Sequence, residues 1–237
     1  MKLLISNQHG AIVMALMPFL YGMLNSPFIW QQCFLLLAWC CLYLMTYPFF
    51  NLFKGRQLAL YGKWTLIYGI SGLLFSLPAL YYNWKVLYFL IAMLPFSLVH
   101  IYYVKQKNER ALLNDLSAIV IFALAGMAAY YFPRQQFDPK IWLIALYPAL
   151  FFIGTTLYVK SVLRERKNPY YGYASILFHS LCVLGLLLFQ QYAIAITFLP
   201  ALFRAVYLPK IKLSVKQVGL WEMAISLLFF VMLVCFS

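Results

Sequence analysis

Long apolar runs separated by short polar connectors make up nearly the whole chain. Nine can be marked, at about 10–27, 30–50, 60–80, 86–104, 112–132, 141–159, 171–189, 192–208 and 218–236. Each comes close to the ~20 residues a helix needs to cross ~30 Å of hydrocarbon. Backbone polar groups in lipid must be satisfied within the segment, so each run is expected to be helical. The pattern predicts an all-α, polytopic membrane protein of about nine transmembrane helices, forming one domain over residues 1–237. The connectors are too short for a separate soluble domain.

Charge gives this layout a direction. Lys2, then Lys54, Arg56 and Lys63, then Lys105, Lys107 and Arg110 fall on one side. Lys160, Arg164, Arg166 and Lys167 join them, as do Arg204, Lys210, Lys212 and Lys216. Only Lys85, Arg134 and Lys140 fall on the other. Basic residues near span ends stay in the cytoplasm, so the amino terminus is expected inside and the carboxyl terminus outside. Hydrophobic residues are 65% of the chain and charged ones 10%, against about a quarter charged in soluble domains. The +13 net charge therefore reads as topology, with membrane lipid head groups as partners and no nucleic acid. Met1 to Ile5 is too short for the apolar part of a signal peptide, so the first span is expected to be retained. Cys33, Cys40, Cys41, Cys182 and Cys235 lie within spans without Cys-x-x-Cys spacing and read as packing residues. Pro18, Gly22, Pro48, Pro95, Pro148, Gly154 and Pro200 mark kinks or close helix contacts.

Depth carries the functional signal. Ionisable residues within spans are costly and tend to face a partner or a cavity. His100, Asp115, Arg204 and Glu222 each sit about one turn inside the same side of the membrane, and His179 lies deeper. A one-sided cavity open to the cytoplasm accounts for them together. Taken singly, Arg204 can snorkel to the interface, and Glu222 suits the start of its helix.

Two loop-to-helix segments are densest in polar groups. In Lys105–Asp115, a helix starting near Asn108 would put Asn108 and Asp115 on one face, and Arg110 and Asn114 on the next. In Gly154–Asn168, a helix continued past the membrane surface would align Thr155, Tyr158 and Glu165 on one stripe. Lys160, Arg164 and Lys167 would form another. A cationic stripe running from membrane depth into the cytoplasm suits a phosphate or carboxylate on an amphiphile. The other reading of both segments is a solvated, positive-inside connector. No Gly-rich nucleotide loop, Gly-x-Ser-x-Gly or His-Glu-x-x-His is present. Three histidines without ligand spacing offer no structural metal site.

The chain resembles the YwiC-like family of bacterial membrane proteins. The resemblance rests on His9-Gly10-Ala11 with Pro18-Phe19, on Asn108-Glu109-Arg110 with Asp115, and on Phe152 to Arg166. It implies residence in the bacterial cytoplasmic membrane. The layout is also similar, more distantly, to UbiA-type intramembrane prenyltransferases, whose two Asp-rich motifs hold magnesium and a prenyl diphosphate. The matching stretches here, Tyr47–Arg56 and Tyr158–Asn168, contain no aspartate; Asn51 and Glu165 are what remain inside them. Magnesium needs several hard oxygen ligands, so no cofactor is expected, magnesium being the one alternative, without Asp-rich motifs to support it.

The leading expectation is binding of an amphipathic anion, an isoprenoid or lipid phosphate, in a cytoplasm-facing cavity. Lys160, Arg164 and Arg166 would hold the head group with help from Arg56 and Arg110. Asn108, Glu109 and Asp115 would orient the bases or contribute to a weak cation site. Tyr158, Glu165, His179, Glu222 and His9 are further orienting or proton-carrying candidates. The alternatives are a divergent UbiA-like transferase, with Asp115 or His9 carrying the proton, and a small-anion transporter with His179 and Glu222 along its path.

Overall fold

The computed structural model describes residues 4–5, 9–55, 57–211 and 213–237, without the side chain of His9. The described residues are mostly helical, with no strand. Nine helices follow in order: α1 (His9–Leu24), α2 (Gln31–Leu52), α3 (Leu58–Tyr82), α4 (Leu87–Lys105), α5 (Leu112–Arg134), α6 (Lys140–Val159), α7 (Pro169–Leu188), α8 (Tyr192–Tyr207) and α9 (Val215–Phe236). From α2 onward, eight helical segments are long and apolar enough to cross a membrane. Helices such as α2, α3 and α4 leave most of their apolar side chains facing outward. Water does not tolerate so large an apolar surface, whereas lipid does. The protein is a multi-pass membrane protein.

The helix boundaries follow local chemistry. The first apolar run was expected to reach residue 27, but α1 stops at Leu24. Asn25 Nδ2 donates to the Tyr21 carbonyl and Ser26 Oγ to that of Met23, which satisfies the last carbonyls before Pro27. Sixteen residues span only about 24 Å. The start of α5 also differs from expectation, lying at Leu112 instead of near Asn108. Lys107 takes the left-handed conformation, with φ of 54°. Its N–H reaches the Val104 carbonyl, and that of Asn108 reaches Tyr103, a Schellman closure that ends α4. The chain must then turn once more before it can restart, so Asn108 and Arg110 share no helix face with Asp115 and Asn114.

By internal packing the chain divides into two compact units, Met1–Ala145 and Leu146–Ser237. In the first, α2 packs on α3, and α5 packs on both α1 and α4. The α1–α5 contact is backbone against backbone. A Cβ added to Gly22 would lie 2.1 Å from the Gly126 carbonyl oxygen, and one on Gly126 would lie 2.7 Å from that of Pro18. Small residues permit such approach, which is how helices associate where no hydrophobic force drives them together. Phe19, Met93, Ala125 and Ala129 form the core beside it, and Trp39 stacks on Phe19 and donates to the Ala15 carbonyl.

At the far end of α5, buried Tyr130 donates to Asp138 Oδ2 at 2.9 Å. Arg134 lies over the Tyr130 ring, with its carbon 4.6 Å from the centroid, and reaches the same carboxylate at 3.4 Å. Tyr130→Phe removes one charge-assisted hydrogen bond and leaves the half-exposed carboxylate to Arg134 and solvent. The expected loss is about 1–2 kcal/mol, read as a lower thermal midpoint in detergent.

In the second unit α7 packs on α8, and α8 on α9. Phe151 stacks on Phe229 at 4.0 Å, and Phe198 meets the same ring edge-on at 5.1 Å. Asn168 caps α7 by accepting from the Tyr170 N–H, with Pro169 following at the first helical position. Ser214 and Gln217 close α9 with a reciprocal capping box.

Candidate functional site

Beyond Val159 the α-helix gives way to a π-helical turn, Lys160–Arg164, closed by Glu165 N–H to the Lys160 carbonyl at 2.7 Å. A π turn takes one residue more than an α turn. The stripes expected from an uninterrupted helix therefore slip here. Lys160 turns inward, 2% exposed, with its Nζ 6.0 Å from the Tyr171 ring centre. Arg164, Glu165 and Arg166 emerge on the surface. The expected partnership of Lys160 with Arg164 and Arg166 is thus divided into a buried base and two exposed ones. Glu165 likewise parts from Thr155 and Tyr158, which stay below.

The surface group lines an open hollow of about 410 Å³, bordered by Arg164, Glu165, Arg166, Lys167 and Asn168. Arg166 is braced from two sides, its Nε donating to the Val162 carbonyl and its Nη2 to that of Leu213. Three cations face one carboxylate there, and the capped start of α7 adds the positive end of its dipole.

Below the hollow, inside the same unit, the structure gathers the second group. Arg204 is 0% exposed. It does not snorkel, because its place on α8 is in step with buried Ile194, Thr197, Phe198, Ala201 and Ala205, the face turned into the bundle. Its Nη1 donates to Glu222 Oε2 at 2.6 Å, and its Nη2 to Thr155 Oγ1 at 3.3 Å. Nη2 also lies 3.3 Å from His179 Nε2. The Tyr158 ring lies 4.7 Å from the guanidinium carbon. The α9 carboxylate is thus an ion-pair partner for Arg204, and not the helix-start residue expected: α9 begins at Val215, with no acidic residue in its first turn.

The hydrogen bonds settle the form of His179. Its Nδ1 lies 2.7 Å from the Ser175 carbonyl, which can only accept, so Nδ1 carries the hydrogen. Arg204 Nη2 can only donate, so Nε2 supplies a lone pair. Gly154 makes room for this ring, since a Cβ there would meet His179 Nε2 at 2.7 Å. Several buried polar atoms of this region have no hydrogen-bond partner among the described residues: Arg204 Nε, Glu222 Oε1, Tyr158 OH and Ser175 Oγ.

The remaining candidates lie in the first unit or outside the described residues. Arg56 and the side chain of His9 fall outside them, although the His9 backbone opens α1. Asn108, Glu109 and Arg110 are exposed between α4 and α5. Glu109 pairs with Lys54 at 2.7 Å, and its carbonyl accepts from Asn114 Nδ2 at the same distance. Asp115 occupies the first turn of α5, where its charge suits the helix dipole. Among the described residues no three or more His, Cys, Asp or Glu side chains gather as metal ligands do. Reasoning from the sequence missed Ser175, Gly154 as the seat of the imidazole, and Arg204 as the hub. The helical spacing of Arg204 from Thr197 and Ala201 along α8 was the available signal.

Comparison with known proteins places the chain. The sequence model for the YwiC-like protein family matches residues 5–130. A protein of Haemophilus influenzae, named uncharacterized protein, is 62% identical over 98% of both chains. The uncharacterized protein YwiC of Bacillus subtilis is 37% identical over 99% of this chain and 98% of its own. No solved structure matches. The similarity to both relatives runs past residue 130 through the Arg204 cluster, and this chain belongs to the YwiC-like family.

Proposed function

We propose that this membrane protein binds the anionic head of an amphiphile, an isoprenoid or lipid phosphate, in the hollow at the α6–α7 turn. The observation that carries this reading is the continuity between that hollow and the outward face of α7. Tyr170, Tyr173, Leu177, Leu181, Leu184 and Leu188 recur at helical spacing and are all exposed. They form one apolar stripe whose first residue, Tyr170, stands two positions beyond Asn168 of the hollow, and which descends the helix. A phosphate held among the bases would leave its hydrocarbon tail lying along that stripe. Tyr170 and Tyr173 would mark the interface, where amphipathic rings settle. Head-group recognition falls to Arg164, Arg166 and Lys167, whose charges phosphate oxygens match well, and Lys160 is too buried to share in it. The bias of basic residues supports a cytoplasmic position for this end of the helices.

The test is direct binding of farnesyl monophosphate to the protein in neutral-lipid nanodiscs. Arg164→Gln/Arg166→Gln is expected to weaken it at least about tenfold, since each charged hydrogen bond is worth ~1.5–3 kcal/mol. An affinity within about twofold of the wild type, well under 1 kcal/mol, would reject the reading.

A further inference from the structure

We propose that Arg204 is a second, intramembrane anion-binding residue, and that Glu222 occupies its place as an internal substitute for a ligand's carboxylate or phosphate. The geometry of the pair is the first argument. An arginine and a carboxylate that exist only for each other usually meet side by side, two nitrogens on two oxygens. Here one contact joins Nη1 to Oε2 at 2.6 Å, while Arg204 Nε and Glu222 Oε1 have no partner among the described residues. Both atoms are buried. Leaving such groups unmatched is costly. A structural pair would have relaxed to remove that cost.

The second argument is how the guanidinium is held. Thr155 from α6 and His179 from α7 grip Nη2, and both are neutral acceptors in this arrangement. The Tyr158 ring supports the guanidinium face at 4.7 Å. Arg204 is therefore positioned by three residues that contribute no charge, and its orientation does not depend on Glu222. Two donors remain unspent beside it, Arg204 Nε–H and the Tyr158 hydroxyl. Together with the Nη1 now given to Glu222, they could serve the several oxygens of a carboxylate or phosphate.

The third argument is direction. Arg204 is 0% exposed and the Glu222 side chain 13%, so Glu222 is the member with a side chain reaching toward the surface of the unit, although its Oε1 is buried. A buried arginine cannot be left without a counter-ion, because an uncompensated charge there is too costly. Exchange of one anion for another avoids that state. Glu222 would swing outward as the ligand's oxyanion takes its place. This site is separate from the hollow at the α6–α7 turn, and the inference does not require it.

The internal carboxylate competes with any ligand, lowering apparent affinity by the fraction of time it is bound. If Glu222 holds the guanidinium about 90–99% of the time, Glu222→Gln should bind an anion about 10- to 100-fold more tightly. The probes are dodecyl phosphate and inorganic phosphate, titrated against protein in neutral-lipid nanodiscs. The Arg164→Gln/Arg166→Gln background removes the surface hollow. Tightening for dodecyl phosphate alone assigns an amphiphile, and tightening for both assigns a free oxyanion. Adding Arg204→Lys, which keeps the charge but loses the planar set of donors, should abolish the gain. Equal affinity of Glu222→Gln and its parent would overturn the proposal, as would a gain that survives Arg204→Lys.

A second measurement covers failure of Glu222→Gln to fold. The chain has three glutamates, so Glu109→Gln/Glu165→Gln leaves Glu222 as the only one. With carboxylate-labelled glutamate, infrared difference spectra at saturating dodecyl phosphate should show its stretching band shift as the ion pair opens. An unchanged band would overturn the inference.

Discussion

Arg204→Met is expected to cost about 3–5 kcal/mol of stability, more than any other side-chain truncation in the second unit. The methionine fills much of the space, so the loss is chiefly electrostatic: Glu222 keeps a buried carboxylate with its counter-ion gone. Thr155 and His179 also lose the donor they share. The double variant Arg204→Met/Glu222→Leu should recover most of the deficit, because replacing both members of a buried pair by apolar groups is often close to neutral. Thermal unfolding of wild type and the single and double variants in one detergent checks both statements. A double variant as unstable as the single would move the cause from charge to packing.

Gly22→Ala should be nearly as damaging, for a different reason. The added carbon would lie 2.1 Å from the Gly126 carbonyl oxygen and 3.2 Å from the Tyr130 nitrogen. Backbone cannot swing aside as a side chain does, so α1 and α5 must separate by an ångström or more. Overpacking typically costs ~1–3 kcal/mol, and a backbone clash belongs at or above the upper end. Gly185→Ala is the matched control. Nothing lies within 4 Å of a Cβ there, and alanine in a helix should gain roughly 0.5–1 kcal/mol. Opposite shifts in thermal midpoint are the expected result, and similar shifts would refute the argument.

Much of the architecture was legible because lipid imposes one rule on every segment. An apolar run of about 20 residues must be a helix, and the expected run at 112–132 agrees closely with α5 at Leu112–Arg134. Breaks governed by one residue's backbone angle were not legible. Lys107 ends α4 in a conformation usually taken by glycine, and nothing in its identity announces that. The π turn at Lys160–Arg164 was hidden for a related reason, because its sequence suits an α-helix equally well. The residues now around Arg204 were visible as polar groups at a shared depth. Their pairing was not, since Thr155, His179, Arg204 and Glu222 come from four helices and sequence spacing relates residues only along one. Snorkelling stood as the alternative for Arg204 because a long basic side chain near a helix end normally has an outward path. Its buried phase on α8, set by Thr197, Ala201 and Ala205, closes that path.

The wide turn after Val159 makes the reach of the surface arginines adjustable by a single codon. Without Val162, the segment could wind as uninterrupted α-helix, and every side chain beyond it would rotate by about 100°. Hydropathy and net charge would barely change, yet Arg164 and Arg166 would look toward a different quarter of the membrane surface. Shortening the backbone by one unit therefore separates where these guanidinium groups point from the fact that they are present, a distinction that no side-chain replacement can draw.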